Sequence, residues 1–96
     1  MKGYYALFYD VTDDYLERRG EYRAEHLRLA EASRARGEMA LGGAFSAPAD
    51  QALLVFRGDG PETAEEFAKN DPYVKNGLVK KWRVRTWMVV IGAQME

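Results

Sequence analysis

The chain has one histidine, His26, and no cysteine. Near neutral pH an imidazole is the side chain whose intrinsic acidity suits proton transfer, so acid–base chemistry is sought first at His26. Tyr22 and Ala30 stand four residues to either side of it, Leu29 three residues away and Leu27 next to it. On a helix this spacing puts His26 at the border of the apolar stripe rather than on the fully solvated face. Read alone, it is either a partly exposed helix histidine or a general acid or base. Asp71-Pro72-Tyr73 has two readings as well. It is a helix-ending turn whose carboxylate bonds local N–H groups, or it supplies a carboxylate that orients an imidazole. Arg23, one turn before His26, can hold an anionic substrate group or lie along the helix surface. Gly42 and Gly43 either admit a ligand close to the backbone or mark a bulge. With Ser46 in the loop that follows, and Tyr73, these residues make up the candidate substrate contacts. Lys80, Lys81, Arg83 and Arg85 around Trp82 read as the solvent side of an edge strand, where lysine also discourages aggregation.

Composition removes several other chemistries. Without cysteine there are no disulfides, thiolate metal sites or cysteine nucleophiles, and one histidine excludes every multi-histidine metal centre. No metal and no cofactor is expected. Fourteen basic against fifteen acidic residues give a net charge of -1, which argues against a nucleic-acid partner. The N-terminal stretch reaches Asp10 too soon for a signal-peptide core. The apolar run Trp87 to Ala93 is far short of a membrane span. A cytoplasmic protein with no membrane partner is the expectation. At 96 residues, 47% of them hydrophobic and 30% charged, the chain suits one globular domain over residues 1–96 with a thin core.

The elements that must position these residues follow from pattern. Tyr4 to Tyr9 is aromatic and apolar throughout and predicts a buried strand. Thr12, Asp13 and Asp14 offer cap and first-turn chemistry for a helix over Tyr15 to Arg36. Gly20 weakens that helix early and Gly37 stops it. Glu38 to Phe45 is a second strand, Ser46 to Gln51 a loop and Ala52 to Arg57 a third strand. Thr63 can cap a short helix that ends at Asn70-Asp71-Pro72, because the residue before proline is pushed out of helical conformation. Tyr73 to Leu78 is a connection with room for one extra turn, and Val79 to Ile91 contains the last strand. The order β-α-β-β-α-β predicts an α+β, ferredoxin-like chain with a four-stranded antiparallel sheet and both helices on one face.

Two helices cover only one face of such a sheet, yet the strands read as apolar on both. Tyr5, Leu7 and Tyr9 oppose Tyr4, Ala6 and Phe8; Leu53 and Val55 oppose Leu54 and Phe56. In the last strand Val84, Met88 and Val90 oppose Trp87, Val89 and Ile91. A half-solvated antiparallel sheet alternates instead, and an uncovered apolar face marks an interaction surface. A homodimer through the sheet faces is the simplest solution.

Three segments in order resemble the YciI-like (YCII-related) proteins. Arg23-Ala24-Glu25-His26-Leu27 resembles their R-x-x-H-L. Glu38 to Phe45 resembles their strand that ends in a glycine motif. Phe67 to Val74 with Gly77 resembles their helix ending in D-P-[YF]-V-x-x-G. Trp87 in the later strand also fits, so the resemblance covers nearly the whole chain. It implies a dimeric α/β barrel and an active-site His–Asp pair, carried here onto His26 and Asp71. A branch of the family performs lyase-type elimination of HCl from chlorinated aromatic metabolites.

The leading expectation is therefore a small enzyme that uses His26 as general base or acid, with Asp71 as its orienting partner. Its reaction would be an elimination or isomerisation of a small cyclic or aromatic molecule. The alternatives are a cofactor-free oxygenase with an aromatic-lined pocket and a ligand-binding module without turnover. RNA binding shares the strand order, but the third strand carries one aromatic and one late arginine where that motif wants several.

Overall fold

The computed structural model describes residues 2–92. Strand β1 spans Gly3–Val11, β2 Met39–Ala44, β3 Gln51–Gly58 and β4 Val79–Trp87. All adjacent strands are antiparallel, in the order β2-β3-β1-β4. The helices are α1 (Tyr15–Arg18), α2 (Arg23–Ala35), α3 (Glu62–Asn70) and α4 (Pro72–Lys75), with a 3₁₀ turn over Arg19–Glu21. This is the ferredoxin-like arrangement. Alternation along the two central strands sends Leu7, Tyr9 and Val11 from β1, and Leu54 and Phe56 from β3, toward the helices. There they meet Ala64, Phe67 and Ala68 of α3 and Tyr73 of α4, all buried.

The helix predicted over Tyr15 to Arg36 is divided at Gly20. α1 runs for one turn, the chain tightens into the 3₁₀ turn, and α2 starts afresh at Arg23. Glycine is the weakest ordinary helix former. Gly37 ends α2 with φ of +79°, a conformation that costs other residues more. Thr63 does not cap α3: Pro61 takes that position, and the helix is already under way at Glu62. The room after Asp71 holds a complete extra turn, α4, with Pro72 at its first position. There the missing N–H costs nothing.

The last strand stops at Trp87, and Met88, Val90 and Ile91 lie beyond it with their side chains exposed. The two-faced apolar reading therefore needs correction for β4. On the face away from the helices it presents Lys81, Arg83 and Arg85 before Trp87. These pair with Asp10, Phe8, Ala6 and Tyr4 of β1. The Arg83 guanidinium lies 4.7 Å from the centre of the Phe8 ring, a cation–π contact. The Asp10 carboxylate accepts from the Gln51 side-chain amide at 2.8 Å, with Lys81 and Arg83 within 4.0 Å. That hydrogen bond first, and the nearby cations after it, hold Asp10 below the usual carboxylate range. The apolar part of this face is Ala6, Phe8, Leu53, Val55 and Leu41, with Leu41 65% exposed. No helix among the described residues is long and apolar enough to cross a membrane.

Candidate active site

α2 and α4 bring His26 and Asp71 together. Asp71 precedes a proline, so its backbone is extended (φ -72°, ψ 123°) and it occupies the N-cap of α4. Its carboxylate accepts the Tyr73 backbone N–H at 3.0 Å, as a cap does. Unlike an ordinary cap, it is fully buried. Burying a carboxylate is costly unless its lone pairs are filled, and two more partners fill them. The Tyr9 hydroxyl donates to Oδ2 at 2.8 Å. His26 Nδ1 lies 2.9 Å from Oδ1 and 3.0 Å from Oδ2. A carboxylate only accepts, so the pair selects the Nδ1–H tautomer and leaves Nε2 as an acceptor.

The imidazole is held on its faces as well as its edge. Its ring stacks on Tyr73 with centroids 4.0 Å apart and planes 9° apart. Phe67 meets it edge-on at 6.2 Å, and Tyr15 in turn meets Tyr73 edge-on at 5.7 Å. Burial, and after it the Asp71 charge and hydrogen bond, push Tyr9 far above the ordinary tyrosine range, so it stays a neutral donor. Tyr73 is also pushed up, first by burial and then by Tyr15, against the opposing charge and hydrogen-bonding reach of Arg23 and the charge of Arg19.

His26 lines a cavity of about 160 Å³ between α2, β2 and the end of β1. A cavity of about 150 Å³ takes a single benzene-sized ring. Arg23, Gly42, Gly43 and Tyr73 line it too. Ser46 does not: it is exposed in the loop after β2, which closes through Phe45 N–H to Gln51 C=O at 2.9 Å and carries the chain away from the cavity. The irregularity in β2 falls between Met39 and Leu41, ahead of the glycines, so neither glycine is needed for the bulge. A Cβ on Gly42 would meet Leu54 at 3.4 Å and Met39 at 3.5 Å, ordinary contact, but would occupy cavity space. Tyr9, Tyr15 and Arg19 complete the polar wall and were not singled out by sequence. For Tyr9 the available signal was a hydroxyl on the helix-facing side of an otherwise apolar strand. Tyr15 and Arg19 gave no signal, because tertiary packing sets their place on the wall. Among the described residues no cluster of His, Asp or Glu is placed to hold a metal ion.

Comparisons with known proteins agree with this geometry at the level of fold. The backbone resembles that of 5-chloro-2-hydroxyhydroquinone dehydrochlorinase from Burkholderia phenoliruptrix AC1100, solved with 2,5-dihydroxybenzoquinone. The TM-score is 0.72 and identity 21%, over 88% of this chain and 92% of that one. It also resembles a candidate antibiotic biosynthesis monooxygenase from Bacteroides thetaiotaomicron VPI-5482, with TM-score 0.62 and 12% identity over 99% and 95% of the two chains. A dimeric ferredoxin-like protein from an uncultured marine organism follows at TM-score 0.57 and 18% identity, over 99% and 93%. No curated protein matches the chain closely in sequence. The YCII-related domain profile, however, matches residues 3–88, and the chain belongs to that family.

Proposed function

We propose that the protein is a small-molecule enzyme that moves a proton between His26 Nε2 and a small cyclic or aromatic metabolite, in an elimination or isomerisation. The observation that carries this reading is the buried Asp71 carboxylate on His26 Nδ1, which frees the opposite ring nitrogen at a cavity of one-ring size. The carboxylate fixes the tautomer and stands as counter-charge to the imidazolium formed when the proton arrives. In an elimination of HCl, Nε2 takes the proton, the C–H electron pair forms the new double bond, and chloride departs from the adjacent carbon. The fold shared with the dehydrochlorinase supports that reaction class.

The test is a panel of chlorinated and unchlorinated hydroxylated six-membered rings in D2O, followed by NMR for solvent-proton exchange and by electrode for released chloride. The expected result is exchange or chloride release that falls about 10²–10⁴-fold in His26→Ala. Binding without exchange across the panel would favour the ligand-binding module instead, and oxygen uptake with a quinol the cofactor-free oxygenase.

The same proposal includes assembly. A homodimer through the sheet faces would cover Leu41 and the apolar residues of β1 and β3, with Trp87 at its border. The resemblance to a dimeric ferredoxin-like protein supports it.

A further inference from the structure

The six arginines between Arg18 and Arg36 divide into two groups. Arg18, Arg28, Arg34 and Arg36 each stand within ion-pair distance of an acidic residue close in sequence. Arg19 and Arg23 form no ion pair among the described residues. Both line the cavity beside His26, and no carboxylate does. A chain with net charge -1 thus places two guanidinium groups that form no ion pair among the described residues on the wall of its one-ring cavity. Arg19 rests over the Tyr15 ring at 5.6 Å, which fixes its approach. Low-dielectric walls focus such a field on whatever enters.

A second observation points to the same ligand chemistry. The Tyr73 hydroxyl is buried and has no hydrogen-bond partner. The Arg23 guanidinium is close enough for its charge and its hydrogen-bonding reach to act on the Tyr73 hydroxyl, but no hydrogen bond of good geometry forms between them. A buried hydroxyl without a partner is destabilising, and such groups in native proteins call for an explanation. A ligand acceptor beside Tyr73 supplies one, because Tyr73 also lines the cavity. Leu27, Met39 and Leu54 also line the cavity and offer a ring apolar surface.

We propose that the cavity selects a monocyclic organic anion, one ring bearing a carboxylate or ionised hydroxyl, whose anionic oxygen accepts from the Tyr73 hydroxyl and is compensated by Arg23 and Arg19. This deepens the proton-transfer reading of the same cavity and rests on that cavity being the substrate site. The guanidinium fork matches a carboxylate in two parallel hydrogen bonds and a phenolate oxygen in one, so the two sources of the charge give different affinities.

The test uses the intact protein and two matched pairs of probes, benzoate against benzamide and 4-nitrophenolate against 4-nitroanisole, followed by calorimetry and amide NMR shifts. The anion of at least one pair is expected to bind about tenfold or more tightly than its neutral partner, since a charge-assisted hydrogen bond is worth about that factor. Whichever pair shows the preference identifies the charged group. Arg23→Gln should erase the preference. Tyr73→Phe should weaken anion binding without lowering the unfolding midpoint, because the hydroxyl it removes makes no hydrogen bond of good geometry in the free protein. Equal binding of anion and neutral analogue, no binding of either anion at millimolar concentration, or an undiminished preference in Arg23→Gln would overturn the proposal. A loss of stability in Tyr73→Phe would assign that hydroxyl a structural role and remove it from the anion site. Exchange that depends on His26 without any anion preference would sink this inference and spare the proton-transfer reading. Anion preference without exchange on any ring would do the reverse.

Discussion

At the residue scale, one carboxylate has three donors: a tyrosine hydroxyl, a backbone N–H and an imidazole converge on Asp71. Asp71→Asn conserves shape and can still cap α4, but its amide can turn an N–H toward the ring. The imidazole then favours the Nε2–H form, which accepts no proton from a substrate. Turnover should fall about 10²–10⁴-fold with the fold retained, and ¹⁵N shifts of the single imidazole should report the change of tautomer. Tyr9 gives a pH-dependent prediction. Its ionisation is pushed far up in the folded chain, so neutral Tyr9 stabilises the fold in full below about pH 10, the unfolded value. Above that, the unfolded chain releases the proton and the folded chain does not. Stability then falls by about 1.4 kcal/mol per pH unit for each such tyrosine. Denaturant unfolding between pH 9 and 11 should show this slope, and Tyr9→Phe should remove one proton from it. The same variant should cost about 1–3 kcal/mol at neutral pH, because the buried carboxylate loses a donor.

At the scale of elements, the pocket depends on two places where regular structure is interrupted. The helix breaks at Gly20, and one glycine-paired strand leaves room above Leu54. Gly42→Val should keep the fold, since its Cβ meets only ordinary contacts and β-branched residues suit strands. It should nevertheless abolish binding of a one-ring ligand, as calorimetry can show. Most elements were legible because their signals are local. The apolar run of β1, the glycine after α2 and the proline after Asp71 each act within a few residues. What was not legible depends on a competing local start or on distant partners. Thr63 looks like a cap until Pro61 is seen to start the helix first. Met88 to Ile91 look like strand, but the pairing of β4 with β1 ends at Trp87 opposite Tyr4. The contact between His26 and Asp71, 45 positions apart, was implied by family resemblance and not by spacing. The place of Tyr15 and Arg19 on the cavity wall is set by tertiary packing, which leaves no mark in hydrophobic period.

At the scale of the whole molecule, the sheet has one covered face and one open face of mixed character. Apolar residues of β1 and β3 fill its middle, Leu41 stands on one side, and the β4 cations with Trp87 on the other. Two such faces apposed would bury the apolar middle and set cationic rows near the border, where water still screens them. Sedimentation at micromolar concentration should give twice the chain mass. Leu41→Lys should shift the equilibrium toward monomer without altering the cavity, and a wild-type chain that stays monomeric would exclude the sheet-face dimer. At about 25 cal/mol per Å² of apolar surface, such an interface would add materially to a thin core, so the melting temperature should rise with protein concentration.

The double duty of Asp71 also has a thermal consequence. The residue that starts α4 is the one that steers the imidazole, and α4 is only four residues long. A turn of that length would not form in isolation; burial of Pro72 and Tyr73 holds it in place. The turn therefore opens only when the packing beneath it gives way. The alignment of His26 should accordingly persist on warming until the core itself melts, so the ¹⁵N signature of the imidazole tautomer and the circular dichroism of the strands should be lost together.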